Sequence, residues 1–149
     1  MYDEEYGFKE ECRIRIIVLG MVERGGKVIC IIVPDKTKET LIPTIEKNVK
    51  EGSKIMTDKL TSYFSLYENY NHYTITHRKS YVRGRGGQIH TNTIEGLWSL
   101  FKRGILGSYH FTTEEHLQKY LNEFCFRYNT KNYSKKERFD YFLKNIENK

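Results

Sequence analysis

The chain has little of what breaks or staples a fold. It contains two prolines in 149 residues and no low-complexity tract, which excludes a proline-rich or disordered chain. Its three cysteines, Cys12, Cys30 and Cys125, are odd in number and scattered, and no CxxC pair occurs. A disulfide framework or a zinc ribbon is therefore unsupported. Each cysteine falls in an apolar run, which fits a small core residue in a reducing compartment. No secretory leader is read, and long hydrophobic runs are missing. The longest, such as IIVLGMV, are the length of a strand rather than of a membrane span.

Acidic residues are outnumbered by basic ones, 19 to 25, for a formal charge of +6 and a pI near 9.1. A basic surface suits a polyanionic partner, usually nucleic acid; a merely soluble basic protein is the even alternative. Aromatics are plentiful, with 12 Tyr and 8 Phe. The length suits one domain, and a domain of this size buries roughly 70% of its extended-chain surface.

Residues 13–22 (RIRIIVLGMV) and 27–33 (KVICIIV) are β-branched and strand-like, and the ERGG between them is a hairpin turn signal. LIPTIEKNV places Leu41, Ile45 and Val49 at helical spacing, with Thr40 as the expected cap so that Pro43 falls in the first turn. SKIMTD (53–58) reads as a short strand ending in Asp58, KLTSYFSLYENY as a short helix, and HYTITH (72–77) as an alternating strand. A basic, glycine-rich loop (78–88) precedes three helices over 91–104, 113–128 and 134–147. In the second of these, Leu117, Tyr120, Leu121, Phe124, Cys125 and Tyr128 make one apolar stripe. With a first strand near residues 1–7, this order fits an α/β fold of the ribonuclease H-like type, a mixed sheet flanked by helices.

The acids are distributed along that framework. In IHTNTIEGLWSLFKR, Ile94, Leu97, Trp98 and Phe101 form a buried face, while Asn92, Glu95, Ser99 and Lys102 form a polar stripe. Taken alone, Asn92-x-x-Glu95 reads first as a capping box, with Asn92 as N-cap. Asp58 lies at a strand end, where open α/β sheets place ligands. Asp3 lies in the acidic cluster YDEEY. Each Asp alone reads as a solvated turn residue. Three acids on a first strand, a later strand end and a late helix can together hold two divalent cations for in-line attack on phosphate. Hard oxygen ligands select magnesium or manganese over zinc.

Asp58 and Glu95 have 36 residues between them, and Lys102 follows Glu95 by seven. This spacing resembles the DDE signature of transposases and retroviral integrases. GMVERGGKV, IEKNVKEGSKIMTDKLTSY, HTNTIEGLWSLFKRGILGSYH and HLQKYLNEFCFRYN resemble the transposase domain of bacterial insertion sequences of the ISXO-like group, related to the eukaryotic Merlin elements. The resemblance runs from about residue 14 to 130. It implies a ribonuclease H-like fold, DNA strand cleavage and transfer, and two Mg²⁺ or Mn²⁺ ions. It matches Asp3, Asp58 and Glu95 to the three catalytic acids, with Asn92 as a possible neighbour to the third, and puts His90 and Lys102 beside DNA. The implied partners are element ends, target DNA and further copies of the chain, with no membrane. The implied location is the bacterial cytoplasm and nucleoid, or a eukaryotic nucleus. We expect a single catalytic domain over 1–149, without the family's zinc ribbon and helix-turn-helix. Only GFKEEC separates YDEEY from RIRIIV, and only Met1 and Tyr2 precede Asp3, so a truncated first strand is expected. A nuclease without strand transfer and an inactive or domesticated DNA-binding remnant are the alternative readings.

Arg78, Lys79, Arg83 and Arg85 lie in the glycine-rich loop before the Glu95 helix, and with Lys102 and Arg103 they are candidate phosphate contacts. The loop's GRGG lacks the GK[ST] ending of a P-loop. His72 and His77 read as strand-surface residues, His110 and His116 as structural, and Trp98 as core.

Overall fold

The computed structural model describes residues 2–6, 16–75, 82–83, 89–104 and 114–147. Of these, 2–6, 82–83, 89–90, 114–115 and 145–147 are described by their backbone alone. Cys12, His77, Arg78, Lys79, Arg85 and His110 lie outside the described residues.

Strands β1 (Tyr2–Tyr6), β2 (Ile16–Val22) and β3 (Val28–Val33) form an antiparallel sheet in that order. The expected ERGG turn joins β2 to β3: Glu23 N–H donates to Lys27 O at 2.9 Å, and Gly25 takes φ 72°, a conformation that favours glycine. Strand β1 runs opposite Ile16 to Gly20 and leaves Met21 and Val22 of β2 without a β1 partner. Helix α1 (Lys38–Asn48) follows, then β4 (Lys54–Thr57), a 3-10 helix (Thr61–Tyr67) and β5 (Asn71–Thr74). Strands β4 and β5 are parallel, and the 3-10 helix lies in the crossover that such a pair needs. A two-residue ladder joins β6 (Val82–Arg83) to β7 (Ile89–His90) inside what the sequence presents as a plain loop. Helices α2 (Asn92–Gly104), α3 (Glu114–Asn129) and α4 (Lys135–Glu147) complete the chain. The architecture is mixed α/β. Among the described residues the expected single mixed sheet is seen as three separate sheets, and no pairing joins β1 to β4.

Alternation along β2 divides the core in two. Ile16 and Val18, with Val28 and Cys30 of β3, pack against Ile94, Leu97, Trp98 and Phe101 of α2 and Leu117, Leu121 and Cys125 of α3. Leu19 and Met21 face the other way, toward Leu41 and Ile45 of α1, Ile55 of β4, and Tyr63 and Leu66 of the 3-10 helix. Cys30 and Cys125 are buried free thiols, as small core residues should be. The hydrogen bond between them, and then burial, push the Cys30 thiol above its ordinary range.

The start of α1 differs from expectation. Helix α1 begins at Lys38 with Thr37 in the cap position, so Pro43 stands inside the helix rather than in its first turn. Pro43 lacks the N–H that the Glu39 carbonyl would accept in a regular helix, and both residues are exposed. The reciprocal capping box occurs in α4: Ser134 N–H donates to Glu137 Oε2 at 2.7 Å, and Glu137 N–H donates to Ser134 Oγ at 3.3 Å. Hydrogen bonding to the carboxyl from the Ser134 side chain, and then from its backbone N–H, holds the exposed Glu137 below its ordinary range.

Candidate functional site

Asp58 directly follows the last residue of β4 and is half-buried. Its Oδ1 accepts the Leu60 N–H at 3.1 Å, an Asx-type turn that ends the strand and leads into the 3-10 helix. The preceding Thr57 is fully buried. Its hydroxyl donates to the Asp58 carbonyl at 2.8 Å and lies 2.7 Å from His72 Nε2. Ile55 and Thr57 share the buried side of β4, and alternation carried one residue further turns Asp58 away from it.

His72 corrects the surface assignment made from HYTITH. It is only 6% exposed, whereas Tyr73 is 38% exposed. The alternation that would bury Tyr73 and Ile75 together does not hold, because β5 ends at Thr74 and Ile75 reaches the core from beyond it. Burial holds the His72 imidazole below its ordinary pKa. His116, by contrast, is exposed.

Glu95 stands on α2, whose buried face is the expected Ile94, Leu97, Trp98 and Phe101. Trp98 is seated over Gly20 of β2: a Cβ at Gly20 would meet the indole at 2.5 Å. The helix begins one residue earlier than a capping box at Asn92 requires. The Thr91 carbonyl accepts N–H bonds from Ile94 and Glu95, so Thr91 is the cap residue and Asn92 is the first helical residue, exposed to solvent. Glu95 Oε1 accepts the Thr91 hydroxyl at 2.7 Å. Farther along the helix, Lys102 is half-buried and Arg103 is exposed in the last turn.

Asp3 lies in β1, registered opposite Leu19. Strand β2 carries neighbours of all three acids: Leu19 is registered opposite Asp3 and packs in the cluster that includes Ile55 of β4, while from the other face of the strand Gly20 receives Trp98 of the Glu95 helix. Arg83 is registered opposite Ile89 and His90 opposite Val82, so this small ladder ends one residue before Thr91. Among the described side chains, of which Asp3 is not one, no three His, Cys, Asp or Glu cluster closely enough to hold a metal ion. No helix among the described residues is long and apolar enough to cross a membrane.

Sequence reasoning missed Thr57, His72 and Thr91. For Thr57 and Thr91 the available signal was position: one precedes Asp58 and the other starts the Glu95 helix. For His72 no local signal existed.

Comparison with known sequences places the chain among the transposases. The family model described as the ISXO2-like transposase domain matches residues 5–129. The chain belongs to that family. The match includes Asp58 and Glu95 and begins two residues after Asp3. A protein of Haemophilus influenzae described as an uncharacterized transposase-like protein is 31% identical over 104 residues, which are 69% of this chain and 81% of that protein. No solved structure matches the chain.

Proposed function

We propose that the chain is the catalytic domain of a DDE-type DNA transposase, cutting and joining DNA strands at the ends of its element. The observation that carries this reading is the family match over residues 5–129, which spans Asp58 and Glu95; their elements meet the same strand from its two sides, Ile55 of β4 packing in the cluster of Leu19 and Trp98 of α2 on Gly20. If β1 and β4 lie side by side, the ladders β3-β2-β1 and β4-β5 give the strand order of a ribonuclease H-like sheet.

The donor set fits hard cations. Asp58 and Glu95 are partly exposed carboxylates, and Asp3 is a third on β1; oxygen ligands of this kind suit Mg²⁺ or Mn²⁺. Two such ions, held by Asp3, Asp58 and Glu95, would supply activation of a water or 3′ hydroxyl and charge stabilisation at the leaving oxygen. The chain's own part is to hold those carboxylates in place and to bind the DNA. Arg83, Arg85, His90, Lys102 and Arg103 are the proposed phosphate contacts, since Arg and Lys position a nucleic acid without reading its sequence. Cutting both ends of an element requires more than one copy of the chain on DNA.

The test is cleavage of a plasmid carrying the element's ends, with Mg²⁺ and the full protein. Asp58→Asn and Glu95→Gln should each abolish cleavage while keeping the wild-type fold by circular dichroism. On β1, Asp3→Asn should do the same, with Glu4→Gln and Glu5→Gln as controls. Near-normal cleavage by Glu95→Gln would reduce Glu95 to its bond with Thr91 and move the third ligand to Asn92. Cleavage without joining would indicate a nuclease, and DNA binding without cleavage a remnant.

A further inference from the structure

We propose that His72 and Thr57 are positioning residues for Asp58, forming a buried hydrogen-bond relay that fixes how its carboxylate is presented to a divalent cation. The proposal rests on the metal-binding reading of Asp58 given above.

The Thr57 hydroxyl has one proton. It lies 2.8 Å from the Asp58 carbonyl, which can only accept. With that proton committed, the hydroxyl oxygen must accept at its 2.7 Å contact with His72, so His72 Nε2 carries a hydrogen. The other imidazole nitrogen gives the same answer independently. Nδ1 is buried and has no hydrogen-bond partner. A proton there would be a buried donor without an acceptor, which is rarer than an unmet acceptor. The neutral Nε2–H tautomer alone satisfies both constraints.

The ring is held in place from two directions. His72 is registered opposite Ile55 in the parallel β4–β5 ladder. The Tyr67 ring packs on it at 4.5 Å, and Tyr67 Oη lies 3.2 Å from Thr74 Oγ1 on the same strand.

The relay ends where the ladder ends. Asp58 is the first residue beyond β4, so no strand partner fixes its carbonyl. The Thr57 bond does so instead, while Leu60 N–H holds Asp58 Oδ1. Nothing else among the described residues hydrogen-bonds the carboxylate, which leaves Oδ2 to a ligand. Groups behind a metal ligand commonly alter metal affinity by about 10- to 100-fold when removed.

The experiment measures Mn²⁺ binding to the full chain by water-proton relaxation, each variant well below its own melting temperature. Thr57→Val and His72→Phe should weaken binding by about 10-fold or more. Thr57→Ser, which keeps the hydroxyl, and His72→Gln, which keeps a donor near the Nε2 position, should stay close to wild type. His72→Asn, whose amide mimics Nδ1 instead, should fall with the weak group, and this contrast decides the matter if Val or Phe prevents folding. In the wild type, ¹⁵N NMR should show the His72 Nε2–H tautomer. An Nδ1–H tautomer or an imidazolium at neutral pH would overturn the relay. So would wild-type Mn²⁺ affinity in Thr57→Val and His72→Phe, or in His72→Asn, when Asp58→Asn has lost it. Unchanged binding in Asp58→Asn, or none in the wild type, overturns the metal reading itself, and the positioning role falls with it.

Discussion

A glycine within a buried strand gives up side-chain packing and costs backbone entropy. At Gly20 that cost is offset by the indole that fills the space, since an added Cβ would lie 2.5 Å from Trp98 and 3.2 Å from Ile94 Cδ1. Gly20→Ala should therefore destabilise the protein by about 1–3 kcal/mol, as overpacking does. Combined with Trp98→Phe, the loss should be less than additive, because the smaller ring vacates part of the site. Urea denaturation of the single and double variants checks this, and strict additivity would refute the contact. His72 yields a second expectation at this scale. Its folded-state pKa is lowered by burial, so the unfolded chain binds the proton more readily. The sign follows: stability is full above the unfolded-state value of about 6.5 and declines as pH falls below it, until the folded-state value is reached. His72→Gln should remove that part of the acid sensitivity. Urea midpoints at about pH 7.5 and about pH 5.5 should then lie closer together in the variant than in the wild type.

At the scale of elements, the decisive contacts join parts far apart in sequence. Strand β3 is an edge of its sheet, and its outward backbone groups need partners. Helix α3 supplies them with two amides. Gln118 accepts the Ile32 N–H at 2.9 Å and donates to the Cys30 carbonyl at 3.0 Å. Asn129 accepts the Val28 N–H at 2.7 Å and donates to its carbonyl at 2.9 Å. Gln118→Ala should cost about 1–3 kcal/mol if the orphaned groups stay dry. It should also speed amide exchange at Ile32 while leaving Val28 protected; equal exchange at Ile32 would show that the amide is incidental. These bonds span 86 and 101 residues, and no periodicity within one segment reports them. What periodicity does report was legible: the β2–β3 hairpin, the apolar face of α2 and the stripe on α3 all follow from spacing. Cap positions were less so. Several neighbouring Thr and Asn residues near the starts of α1 and α2 can each serve as a cap, and tertiary packing selects among them. The strand end at Asp58 was visible as a polar residue closing an apolar run. Its support by Thr57 and His72 was not, because a buried histidine in a four-residue strand looks like a surface one until its neighbours are known.

For the whole molecule, the formal charge of +6 becomes informative once its bearers are placed. Arg103 is exposed in the last turn of the Glu95 helix, with Lys102 half-buried beside it. Arg83 is in the ladder that ends one residue before that helix's cap. The two arginines thus bracket α2 from its approach and its far end, with Glu95 between them in sequence. A duplex lying along such an element would meet both through its phosphates. Binding of that kind is driven by release of counterions, so the logarithm of the affinity falls linearly with the logarithm of salt, by roughly 0.9 for each phosphate contact. Arg83→Ala and Arg103→Ala should each make that slope shallower by roughly 0.9, and the double variant by roughly 1.8 if the contacts are independent. The loss should be similar for DNA of any sequence, because phosphate contacts carry no base readout. A fluorescence-anisotropy titration at several salt concentrations measures this directly. A lowered affinity with an unchanged slope would mean that the arginine acts through the fold rather than on the DNA. A loss confined to one sequence would mean that it reads a base instead. The expected combination of a shallower slope and no sequence dependence is what α2 requires if its carboxylate works on a backbone that the flanking cations hold.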